Sequence, residues 1–104
     1  MWYSVSLLFK SVHVPTGPRP AVWEESIRLI EAETESEARQ KAEIIGQSEK
    51  ASYQARNDLV LWTFEGVERL YTIDQERLKH GVELFSRFLR DTEVESLRTP
   101  FDDE

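Results

Sequence analysis

The chain contains no cysteine, which excludes disulfide bridges, thiolate nucleophiles and cysteine-based metal clusters. That absence fits a reducing cytoplasm as the working compartment. Glycine is scarce and scattered: the four present are isolated, so no glycine-rich loop is expected to cradle a phosphate. Only two histidines occur, His13 and His80, each beside a loop and without metal-ligand spacing. Neither a metal site nor a cofactor is expected from them. Long apolar runs are missing as well. The longest lies near Leu59–Trp62, far short of the roughly 20 residues that a membrane-spanning helix needs. Residues 1–15 are apolar, but they lack a basic leader and a small-residue cleavage site, so they are not read as a signal peptide.

Basic charge is the minority sign. Thirteen Lys and Arg against 20 Asp and Glu leave a net charge of −7. An acidic surface repels phosphate, so no nucleic-acid partner is expected. Arg87, Arg90 and Arg98 lie near Phe85 and Phe88, but Asp91, Glu93 and Glu95 cancel their field. The same overall charge suits a basic protein partner. What the chain does have is apolar material. Hydrophobic residues make up 39% of its 104 residues, with three Trp, three Tyr and five Phe, enough for one core. A single domain is expected over residues 1–92, followed by an acidic C-terminal tail over 93–104.

Period-two alternation dominates. In WYSVSLLFK, residues 2–10, Tyr3, Val5, Leu7 and Phe9 fall on one side and Ser4, Ser6 and Lys10 on the other, the mark of a half-buried strand. VPTGPRP, residues 14–20, holds three prolines and a glycine and reads as a loop. VWEESIRLIEA alternates again, with Trp23, Ile27 and Leu29 sharing a face. Thr34 followed by Glu37 is a capping-box pattern, and Ala38, Ala42 and Ile45 continue at helical spacing towards Gly46, a plausible C-cap. Beyond a short strand near Tyr53–Arg56 and a turn at Asn57-Asp58, LVLWTFEGVERLYTI is a long strand. A bulge at Glu65-Gly66 is expected to keep Val60, Trp62, Phe64, Val67, Tyr71 and Ile73 on one face. DQERLKHG is a polar connection and VELFSRFLR, residues 82–90, a last strand.

The expected fold is therefore α+β: an antiparallel β-sheet of four to five strands with one main helix on one face, in the order β-β-α-β-β. One helix covers one face only. On the other, Trp2, Leu8, Ile30, Leu61, Phe85 and Leu89 are expected among polar residues, to be covered by a symmetric partner or by Val94–Phe101.

The nearest approach to an active-site signature is WEES, residues 23–26. Consecutive strand residues point to opposite faces, so Glu24 and Glu25 cannot converge on one bond as acid–base hydrolysis requires. No catalytic residue is assigned. Glu25 nevertheless sits between Trp23 and Ile27, and Arg87 sits likewise between Phe85 and Leu89, with Glu83 competing for the arginine. A structural ion pair is one reading of these residues. The other is a ligand site built from Glu25, Glu83 and Arg87 with Trp23 and Tyr71 as walls.

Taken in order, Trp2-Tyr3, Trp23-Glu24-Glu25, Ala38/Ala42, Trp62-Thr63-Phe64 with Gly66-Val67, and Gly81-Val82-Glu83 carry a resemblance. The chain resembles the DUF4288 family, a small bacterial family of domains of unknown function, over nearly its whole length up to about Arg90. Val82 stands where the family pattern leads one to expect a small polar residue. The resemblance implies a bacterial, cytoplasmic setting and supplies no mechanism. The expectation for function is thus a small acidic, non-enzymatic protein-interaction or regulatory domain, self-associating as a homodimer through its sheet. The alternative is a small-molecule binder or minor enzyme with the Glu/Arg site.

Overall fold

A computed structural model describes residues 1–14, 21–49, 51–55, 58–73 and 78–99. The proline-rich loop over 15–20, the Asn57 side of the expected turn, residues 74–77 of the DQERLKHG connection and the last residues of the tail lie outside the described residues. The elements are β1 (Trp2–Val14), β2 (Trp23–Glu31), α1 (Glu35–Ser48), β3 (Ala51–Ala55), β4 (Asp58–Ile73) and α2 (Asp91–Arg98). Three long antiparallel strands form the body of the sheet in the order β2-β1-β4, and the five-residue β3 pairs along the outer edge of β4.

The central strand is β1 because its sequence alternates most cleanly. Tyr3, Val5, Leu7 and Phe9 are all buried, and they carry the core with Ile30, Ala32, Ala38, Ala42 and Val60. The helix reaches this face through small residues. Ala38, Ala42 and Gly46 are buried along one stripe of α1, which lets its backbone lie close to the sheet. Thr34 Oγ1 accepts the Glu37 amide at 3.1 Å and starts the helix. Gly46, expected as a C-cap, is instead interior: α1 runs on to Ser48 and Glu49 is the cap. The reason is contact, since a Cβ on Gly46 would lie 2.4 Å from the Phe64 ring.

Two bulges, not one, interrupt β4. The β1 register passes over Glu68 between Arg69 and Val67, and over Glu65 between Gly66 and Phe64. Gly66 takes φ 128°, a left-handed value that favours glycine. Each extra residue reverses the facing of the residues beyond it. Phe64, Val67 and Leu70 therefore stay beneath α1, whereas Tyr71 and Ile73, expected there, emerge on the other side. The register also corrects Ile30, expected on the uncovered face. It pairs with Tyr3, faces the helix and is buried.

The expected architecture fails at its C-terminal end. Residues 82–90 form no strand, and a second helix, α2, comes after them, so the order β-β-α-β-β with one main helix is not the fold. VELFSRFLR has large apolar groups on both alternations, Val82, Leu84 and Phe88 against Phe85 and Leu89. Neither facing hides one set without exposing the other, so pairing gains nothing decisive. The chain turns at Gly81, φ 85°, and continues as coil to α2. No helix among the described residues is long and apolar enough to cross a membrane.

Candidate functional site: the sheet face away from α1

Directly opposed residues in an antiparallel pair share a face. The register thus lays out the side away from α1 as cross-strand rows from β2 through β1 to β4. They run Glu31–Trp2–Ile73, Leu29–Ser4–Tyr71, Ile27–Ser6–Arg69, Glu25–Leu8–Gly66 and Trp23–Lys10–Thr63, with Val12–Leu61 beyond. Down the middle runs a floor of small polar groups, Ser4 and Ser6, both buried. Along β2 stands an apolar ridge. Trp23, Ile27 and Leu29 are 51%, 50% and 44% exposed, and Val12 and Leu59 are also exposed at the far end.

Polar contacts tie down the floor. Ser6 Oγ donates to Glu25 Oε2 at 2.5 Å, so the serine's buried hydroxyl is satisfied and the carboxylate is drawn towards the central strand. Ser4 Oγ is buried and has no hydrogen-bond partner among the described residues. The Lys10 ammonium sits over the Trp23 ring, 5.2 Å from its centre, a cation–π contact at the end of the ridge. On the β4 side, Tyr71 donates its hydroxyl to Glu83, and the Phe85 ring meets the Tyr71 ring edge-on at 6.3 Å. These two contacts lay the coil after Gly81 over one end of the face.

Among the five candidate residues, Trp23 and Glu25 share the β2 ridge, and Tyr71 meets Glu83 at the opposite edge. The two groups do not converge. Two strands across at about 4.8 Å and four residues along at about 3.4 Å separate Glu25 from Tyr71 by roughly 16 Å of backbone. Arg87 is exposed on the coil, and among the described residues no ion pair joins it to Glu25 or Glu83. No group of three or more His, Asp or Glu suited to a metal ion occurs among the described residues. Arg69 and the buried serines are not among the residues that sequence reasoning singles out. The legible signal is SVS in the central strand: small polar residues at outward positions, buried between larger ones on both sides.

The face carries Lys10 and Arg69 against Glu25 and Glu31, with the Glu83 carboxylate held on Tyr71 and that of Glu65 on Thr63, so it shares the acidic excess of the chain. Elsewhere the strongest pair is the fork of Arg28 on Glu49, both contacts at 2.6 Å, which ties β2 to the end of α1. Hydrogen bonding from Arg28 holds the Glu49 carboxyl below its ordinary range.

Fold and surface together define a small antiparallel sheet-and-helix domain with one face covered by α1 and a half-exposed apolar ridge along β2 on the other. The family model for a domain of unknown function, DUF4288, matches residues 2–86, and the chain belongs to that family. No curated protein and no solved structure matches it.

Proposed function

We propose that this domain is a non-enzymatic protein-interaction module, that its binding surface is the face away from α1, and that its first partner is a second copy of itself. The observation that carries this reading is the row of Trp23, Ile27 and Leu29, about half exposed along one strand. Finishing the burial of these three side chains contributes about 2–4 kcal/mol per copy, taking half of the full transfer value of each. Large exposed apolar patches mark interaction surfaces. Lack of cysteine fits work in a reducing cytoplasm.

Sedimentation velocity of Ile27→Asp beside the unaltered chain tests the reading. Ile27 lies outside the core, so the variant folds; it is expected to sediment as a monomer at concentrations where the unaltered chain associates. Identical monomeric behaviour of both proteins contradicts the proposal.

A small-ligand reading keeps one observation in its favour, the unsatisfied Ser4 hydroxyl opposite Tyr71 and its partner Glu83. In that reading Tyr71 and Glu83 hold the ligand, and Glu25, Trp23 and Arg87 contribute only after moving toward them. A panel of small carboxylic acids and amino acids in a thermal-shift assay, repeated with Ser4→Ala, separates the two. The ligand reading requires a shift that the variant loses, and the interaction reading requires none.

A further inference from the structure

The coil after Gly81 and the helix beyond it have the composition of a core segment, yet most of their large apolar side chains are exposed. Leu84 is 51% exposed, Leu89 36%, Leu97 62%, and Phe88 is fully exposed at 103%. Among the described residues α2 packs against neither α1 nor any strand. The radius of gyration is 16.5 Å, against about 13 Å for a compact domain of this length. Yet the root of this arm is fixed. Glu83 accepts from the Tyr71 hydroxyl and Phe85 lies against the Tyr71 ring, so the arm departs from the sheet face turned away from α1. Its helix is well started: the Glu93 carboxylate accepts the Arg90 amide at 2.7 Å, which holds α2 as a defined element.

We infer that residues 84–97 of one copy lie across the exposed β2 ridge on the sheet face away from α1 of a second copy, and that the exchange is reciprocal about a two-fold axis. This deepens the proposed function and rests on its assignment of the binding face. Two observations select a second copy as the occupant. Arm and ridge are on the same chain, which is the requirement of an isologous contact. The area is sufficient. Arm and face together offer on the order of 800 Å² of exposed apolar side chain per copy, the amount that a standard interface takes from each partner. Phe88 is the anchor, set against the half-exposed ridge of Trp23, Ile27 and Leu29.

Disulfide trapping tests the arrangement, because a chain without cysteine makes each introduced thiol unique. Ile27→Cys and Phe88→Cys change exposed positions outside the core, and circular dichroism checks that both variants fold. Mixed under mild oxidation, they are expected to give the 27–88 crosslinked pair as the dominant product. Predominance of 27–27 pairs overturns the arm exchange while keeping the sheet face as the interface. An internal crosslink in monomers of the doubly substituted chain overturns it too, by showing the arm closed on its own sheet. Monomers without crosslinks at every concentration overturn both the exchange and the proposed function.

Discussion

Gly46→Ala offers a sharp test of how α1 sits on the sheet, because two effects of known size oppose each other there. In an ordinary helix interior this change is favourable by about 0.8–1.0 kcal/mol. Here the added methyl would lie 2.4–2.6 Å from three carbons of the Phe64 ring, well inside contact distance. That ring is itself packed against Phe9, with centroids 5.6 Å apart, so it yields only by disturbing a second aromatic. Overpacking of this kind costs about 1–3 kcal/mol. The net expectation is a destabilisation of roughly 0–2 kcal/mol, or a fall of up to about 10 °C in Tm for a domain of this size. Urea denaturation with a double-mutant cycle separates the terms. In a Phe64→Leu background the clash is relieved, and Gly46→Ala is expected to stabilise by nearly the full helix value. If Gly46→Ala raises the stability of the unaltered chain by about 1 kcal/mol, α1 does not approach Phe64 as described.

Three further outcomes rest on named contacts. Thr34→Ala removes the acceptor for the Glu37 amide and should cost about 1 kcal/mol in thermal or chemical denaturation, with no change in association. The Arg28–Glu49 fork makes stability pH-dependent. A carboxyl depressed by its partner contributes above its unfolded pKa and loses that contribution as pH falls through the depressed folded value. Melting curves across the acid range should show this decline in the unaltered chain and a smaller one in Arg28→Ala. Leu7→Ala, at the fully buried centre of β1, should cost about 2–5 kcal/mol and leave little folded protein at 37 °C.

The three long strands and α1 are legible in the sequence because their patterns are strong and local. Tyr3, Val5, Leu7 and Phe9 repeat every second residue, and Ala38 and Ala42 sit one helical turn apart behind a cap. The illegible features are non-local. A bulge signalled by Glu65-Gly66 is readable, but Glu68 carries no glycine, and only the pairing with Ser6 and Leu7 shows it to be the second extra residue. That one residue decides the facing of Tyr71 and Ile73. The ridge of Trp23, Ile27 and Leu29 is readable as one face of a strand, while its orientation away from α1 depends on Ile30 pairing with Tyr3. VELFSRFLR misleads because alternation cannot choose between two equally apolar faces. The contacts that settle its course, Glu83 and Phe85 on Tyr71, join segments that no local pattern links.

The most direct measurement of the central claim is hydroxyl-radical footprinting of the protein at high concentration and at high dilution, read residue by residue. Trp23, Ile27 and Leu29 should lose reactivity on concentration, while Ile44, 68% exposed on the outer side of α1, should keep it. Unchanged labelling of the three ridge residues, or protection of Ile44 in their place, would contradict the account.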